Sequence, residues 1–287
     1  MNTKEGGIRM ELNGSSLFDV IIFGGQSNMQ GQSERLIDEG EIAGAYEYKM
    51  LRNEFVPLKD PAGEDIRPDG TAGVPYTDEL GDAWHPQTAL GSAAYGNSTL
   101  LPAFAKEYTR FSGRNMIAVH AAKGSTDMAC WLPGTTGYAA IVNKTVRAVS
   151  AAKERGFTVG NVYMVWLQGE SDAIIGKAKQ VYKEELAKFA NALKKDVDLE
   201  KFGVIRVGHF TNDEKDTEII DAQDEICKEN KDFIMLTRIA TELNNDPMSM
   251  NPFVGGHFSA SGLQKLGASA GAALASYIKS KTNSKTI

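Results

Sequence analysis

Two segments of this 287-residue chain set a hydroxyl and an imidazole among glycines: GGQSNMQG at 24–31 and GGHFSASG at 255–262. A serine hydroxyl is a weak nucleophile until a neighbouring base takes its proton. A histidine, with an ordinary pKa near 6.5, suits that task. Ser27 and His257 therefore make a candidate nucleophile and general base for attack on a carbonyl carbon. Such attack puts negative charge on the carbonyl oxygen and calls for hydrogen-bond donors around it. Two further segments offer donors. AAKGSTDMACW at 121–131 contains Gly124, whose N–H can approach a substrate with no side chain in the way. WLQGESD at 166–172 contains Gln168, whose amide can donate, with Glu170 and Asp172 able to orient a neighbouring group. Each segment also has a plainer reading. Ser27 can be a helix N-cap, His257 a loop histidine with satisfied bonds, and the acidic pair ordinary residues of a helix first turn.

These residues must be positioned by the elements that precede or follow them. Residues 18–24 (FDVIIFG) form an apolar, β-branched run ending in glycine, the pattern of a strand buried on both faces. Residues 115–121 and 161–167 repeat it, and further strands are expected at 203–209 and 233–237. Helical spacing marks 98–111, 138–154, 176–195, 216–229 and an Ala/Gly-rich stretch at 260–280. Alternation of strand and helix predicts a parallel sheet covered by helices on both faces, with ligands bound beyond the carboxyl ends of the strands. Ser27, Gly124 and Gln168 each follow a strand, and His257 precedes the last helix, so all four fall at that edge. Residues 30–97, rich in Gly, Pro and Asp, read as a long loop-rich excursion over it. The whole of 1–287 is expected to be one domain, a common size for an α/β fold.

Composition narrows the classes. A 42% hydrophobic and 24% charged chain can build a sizeable core. The net charge of −6 does not favour nucleic acid or an anionic membrane as partner. Cys130 and Cys227 show no metal-ligand spacing and no disulfide framework. No apolar stretch is long enough to span a bilayer, and the first residues lack the apolar centre of a signal peptide, so a cytoplasmic location is expected. No G-x-G-x-x-G or P-loop follows a strand, which argues against nucleotide binding. His120 and His209, at strand ends, and Trp84, His85 and Trp131 are secondary candidates for lining a cleft, with structural packing the alternative for each. The lysines of 183–201 alternate with acidic residues and read as a solvated helix face.

GQSNM near the amino terminus, GST followed by tryptophan, WLQGESD and a late HFS-x-x-G together resemble the SGNH hydrolases, and most closely the carbohydrate esterase family 6 and sialate O-acetylesterase-like branch. The resemblance runs over roughly residues 18–278. It implies a three-layer α/β/α sandwich with a five-stranded parallel sheet, flavodoxin-like in type. It implies a serine esterase that removes acetyl groups from an O-acetylated carbohydrate through an acyl-enzyme intermediate. The substrate would be acetylxylan, a similar oligosaccharide, or O-acetylated sialic acid, and no metal or organic cofactor would be needed. Ser27 matches the nucleophile and one oxyanion N–H, Gly124 a second oxyanion N–H, Gln168 a side-chain oxyanion donor and His257 the base, with Glu170 a supporting member of its motif.

The chain departs from that pattern at one position. The family places an aspartate three residues before the histidine, and here Val254 stands there. A backbone carbonyl within 252–255, or Asp246, Glu170 or Asp172, is then expected to orient the imidazole. Two other readings stay open: a non-catalytic carbohydrate-binding or interaction domain on a degenerate scaffold, and an SGNH esterase or thioesterase acting on other esters.

Overall fold

The computed structural model describes residues 17–63 and 98–283. The first strand, β1 (Leu17–Gly25), is buried along nearly its whole length, as its unbroken run of Val, Ile and Phe requires. It sits at the centre of the sheet. In chain order the remaining elements are α1 (Ser27–Gln30), β2 (Ala45–Lys49), β3 (Glu54–Pro57), α2 (Leu101–Ser112), β4 (Asn115–Ala122), α3 (Thr136–Glu154), β5 (Thr158–Leu167), α4 (Glu170–Ile174), α5 (Lys179–Asp196), β6 (Leu199–Ile205), α6 (Glu214–Glu229), β7 (Phe233–Thr237), α7 (Ala240–Asn244) and α8 (Ala260–Asn283).

The sheet has seven strands in the order β3-β2-β4-β1-β5-β6-β7. All neighbours pair in parallel except β2 with β3. Helices α2 and α8 cover one face and α3, α5 and α6 the other, giving the expected three layers. On α8, Gly267 and Gly271 face the backbone of α2 at Leu100 and Phe104, so its small residues serve a close helix–helix crossing as well as the sheet. Among the described residues, no helix is long and apolar enough to cross a membrane.

The five expected strands are all present, and two more extend the sheet. Strands β2 and β3 lie inside the segment read as loop. Their charged residues hide them: Glu47 and Lys49 are buried on β2 because they pair with each other at 2.9 Å. Residues 64–97 lie outside the described part of the chain. Strand β6 begins four residues earlier than expected, at Leu199 rather than 203, and stops at Ile205. After a last ladder bond from Arg206 N–H to Thr237 O at 3.0 Å, the following donors turn to side chains: Val207 N–H donates to Gln223 Oε1 at 2.9 Å and His209 N–H to Asn244 Oδ1 at 2.7 Å.

Chain order reverses around β1, which β4 flanks on one side and β5 on the other. In an open parallel sheet that reversal opens a crevice at the carboxyl ends of the strands. The residues that follow β1, β4 and β5 converge there.

Candidate active site

The turn after β1 is tied to both neighbouring strands. Gln26 N–H donates to Leu167 O at 3.1 Å, and Lys123 N–H donates to Gly25 O at 3.0 Å. Gly25 takes φ +143°, and a β-carbon there would lie 2.0 Å from the Leu167 carbonyl oxygen, so only glycine fits. Ser27 follows as the first residue of α1 and is buried. The N-cap is Gln26 and not Ser27, and its side chain makes no capping bond to α1. Gln26 Oε1 instead accepts from Gly169 N–H at 3.4 Å and Ser171 N–H at 3.2 Å, at the start of α4. Ser27 is thus left with a helix N-terminus whose first N–H groups have no intrahelical acceptor. That is a favourable place for developing negative charge.

His257 lies in the loop before α8. Its backbone N–H donates to Val254 O at 3.3 Å, and its carbonyl accepts from Asn251 N–H at 2.8 Å. Gly256 takes φ +74°, and an added β-carbon would meet Phe210 Cε2 at 2.1 Å. The Phe210 ring stands edge-on to the imidazole, with centroids 6.1 Å apart. His257 Nδ1 is 2.9 Å from the carbonyl oxygen of Gly255. A carbonyl can only accept, so Nδ1 carries the proton and Nε2 keeps its lone pair. Burial lowers the pKa of the ring, while the Gly255 bond acts the other way. The imidazole is therefore neutral and ready to take a proton at neutral pH.

Asn28 joins the two halves. Its side-chain oxygen accepts from Phe258 N–H at 3.0 Å, and its amide nitrogen donates to Gly256 O at 3.4 Å. The side chain next to Ser27 is therefore bonded to both neighbours of His257. Nearby, Asn251 Nδ2 donates to Gln32 O at 3.0 Å, and Glu34 Oε2 accepts from Ala260 N–H at 2.9 Å. These contacts dock the histidine loop on the segment that follows Ser27.

None of the three acids named as possible orienting groups is bonded to His257. Glu170 is buried and accepts from Asn28 Nδ2 at 2.9 Å. Asp172 is buried under Met128 N–H, Lys177 and the Gln168 amide. Asp246 holds Met248 N–H, the Ser249 hydroxyl and Lys265 at the surface. The carbonyl of Gly255, within the backbone segment named as the alternative, is what meets the ring.

The expected role of Gln168 is not met by its position. The side chain is fully buried, and its Nε2 donates to the Asp172 carboxylate and to Thr126 O at 3.0 Å. Its oxygen lies 3.3 Å from the Tyr182 hydroxyl. An amide with both hydrogens committed inside the core has none left to offer a substrate. Gly124 N–H does lie at the carboxyl edge, where it donates to Gln30 Oε1 at 2.9 Å. Gln30 is three residues beyond Ser27 on α1 and shares its helix face.

The secondary candidates separate as follows. Trp131 is fully buried, edge-on to Trp166, and donates to Thr126 Oγ1 at 3.0 Å. Buried His120 has Nε2 3.0 Å from Met29 O and supports α1 from below. His209 lies beside Asp216 at 3.8 Å and is partly exposed. Trp84 and His85 lie outside the described residues. Cys130 and Cys227 are both free thiols. Among the described residues no cluster of His, Cys, Asp and Glu could hold a metal ion. Gln26, Asn28 and Gln30 were not singled out from the sequence. The signal available was three amides within GGQSNMQG, since polar side chains that dense beside a buried strand need partners.

Residues 17–276 match the protein family described as carbohydrate esterase, sialic acid-specific acetylesterase. Among solved structures the fold is similar to that of NanS, with a TM-score of 0.61 and 13% identity over 95% of this chain and 99% of that one. It is also similar to a protein from Arabidopsis thaliana, with a TM-score of 0.60 and 17% identity over 89% and 97% of the two chains. A carbohydrate acetylesterase from Xanthomonas citri matches with a TM-score of 0.52 and 14% identity over 88% of this chain and 55% of that one. At such identities the structural likeness bears on fold alone. No curated protein sequence matches the chain.

Proposed function

We propose, on the premise that this chain belongs to the carbohydrate esterase, sialic acid-specific acetylesterase family and is a carboxylic ester hydrolase, that it removes acetyl groups from an O-acetylated carbohydrate through an acyl-enzyme on Ser27. The observation that carries the reading is the bond from His257 Nδ1 to Gly255 O, which leaves Nε2 as a base on a loop docked beside Ser27. The Ser27 proton passes to Nε2 as the hydroxyl oxygen attacks the ester carbonyl. The oxyanion is received by Ser27 N–H and by Gly124 N–H, from which the Gln30 oxygen withdraws. The C–O bond to the sugar then breaks, and His257 returns its proton to the departing oxygen. Water attacks the acyl-enzyme while His257 takes a proton from it, and acetate leaves as Ser27 is reprotonated.

A neutral carbonyl in place of an aspartate fixes the tautomer of the base but supplies no full charge to the imidazolium that forms. Family membership supports carbohydrate as the leaving group. The test is acetate release from acetylated xylo-oligosaccharides and from O-acetylated sialic acid, beside a long-chain 4-nitrophenyl ester. Turnover of at least one acetylated sugar, lost in Ser27→Ala, is expected. Turnover of the long-chain ester alone would overturn the carbohydrate reading.

A further inference from the structure

We infer that Asn28 is a positioning residue for the base, and that Glu170 is the anchor that aims it. The inference rests on Ser27 and His257 forming the acyl-transfer pair. Asn28 is 2% exposed and Glu170 4%, so their contact is shielded from water. The orientation of the Asn28 amide follows from its partners. Phe258 N–H can only donate, so the atom facing it is oxygen, and the nitrogen must then face Glu170 Oε1 and Gly256 O. Turning the amide over would set its NH2 group against the Phe258 N–H, and both Phe258 N–H and Glu170 Oε1 would lose their partner. Glu170 Oε1, with Gly256 O, therefore fixes the amide so that its oxygen accepts from Phe258 N–H.

Residue 28 is separated from residues 256 and 258 by 228 and 230 positions in sequence. The tie between the histidine loop and the segment around Ser27 is therefore made by side-chain contacts between distant parts of the chain. The bonds of Asn28 bracket His257 itself, whereas those of Gln32 and Glu34 reach the loop further out, at Asn251 and Ala260. Glu170 is the first residue of α4, three positions past the end of the central strand β5. Its second oxygen, Oε2, has no hydrogen-bond partner among the described residues. Burial pushes its carboxyl pKa up. Among the described residues the side-chain donor to this buried carboxyl is Asn28 Nδ2, at 2.9 Å. The transition state tolerates little displacement of a base, and an error of about 1 Å costs on the order of 100-fold in rate.

The experiment measures kcat and KM for 4-nitrophenyl acetate in the full chain, with Ser27→Ala run in parallel. Asn28→Ala is expected to lower kcat about 100-fold with KM within about threefold. Asn28→Asp is expected to fall similarly, because it removes the NH2 group that donates to Glu170 Oε1 and Gly256 O. Adding Glu170→Gln to Asn28→Asp reverses the polarity of the pair, since the introduced amide can donate to the introduced carboxylate, and is expected to recover at least about tenfold of that loss. A merely structural role predicts no such rescue. The inference is overturned if folded Asn28→Ala keeps kcat within about threefold. It is equally overturned if Glu170→Gln fails to rescue Asn28→Asp. Undiminished turnover by Ser27→Ala would instead contradict the acyl-transfer pair itself.

Discussion

The proposed nucleophile and the proposed base of this site are held in different ways. Ser27 is placed by the sheet: its turn is hydrogen-bonded to the ends of β4 and β5, and β1 behind it is central and buried. His257 is placed by a loop of short backbone bonds, one carbonyl behind the ring and one asparagine clamp. The first arrangement is set by the register of parallel strands. The second depends on a few contacts between segments more than two hundred residues apart. A serine on a rigid element and a histidine on a clamped loop share the positioning unequally, so perturbations of the two sides should differ in kind.

The largest effects are expected from removing the reacting groups. Ser27→Ala and His257→Ala should each lower kcat by about 10,000-fold or more without unfolding the protein, as read by turnover of 4-nitrophenyl acetate and by circular dichroism. Near-equal losses would show that the loop-held base matters as much as the strand-held nucleophile.

Next come the two glycines that shape the two sides. Gly25→Ala drives a β-carbon against the backbone oxygen of Leu167, which the central strands cannot move. It should cost about 3 kcal/mol or more in urea unfolding. Gly256→Ala meets the Phe210 ring, a side chain at intermediate burial that can turn aside. It should cost about 1–2 kcal/mol but lower kcat disproportionately, because the clash sits beside His257. Equal stability costs would contradict the contrast between a rigid and an adaptable side.

The pH dependence sharpens the contrast further. Activity requires the neutral imidazole, so it is present above the pKa of His257 and lost as pH falls through it. Burial lowers that pKa, so the acid limb of kcat/KM should lie below the ordinary imidazole value near 6.5. A limb above 6.5 would point to a carboxylate reaching the ring. The smallest effect is expected from Asp246→Asn. Asp246 is tied up with Ser249 and Lys265, and kcat/KM should stay within about twofold. A loss of 100-fold would make Asp246 the orienting group after all.

Those two sides also differ in how far the sequence reveals them. Strand β1 reads plainly because an apolar run ending in glycine has few other uses, and Ser27 follows from where the run stops. Strand β2 does not, because Glu47 and Lys49 are buried charges that become tolerable only through partners, each other and the Gly63 backbone, that an apolar pattern does not report. Gln168 shows the limit most clearly. A glutamine after a parallel strand sits at the right edge whether it faces the crevice or the core, and only its bonds to Asp172 and Thr126 reveal the inward direction. The substitution of Val254 for an aspartate is visible at once, yet what replaces it is a backbone carbonyl, which carries no side-chain identity. Asn28 escapes for a related reason: its importance lies in partners far along the chain.

The central claim, that Ser27 is a nucleophile activated by a histidine whose partner is a carbonyl, is tested most directly by covalent labelling. The protein is treated with a fluorophosphonate, and the adduct is located by peptide mass spectrometry. One adduct is predicted, on the peptide bearing Ser27, absent in Ser27→Ala, formed far more slowly in His257→Ala, and unaffected by Asp246→Asn. An adduct on another residue, or labelling of Ser27 at an unchanged rate without His257, would contradict it.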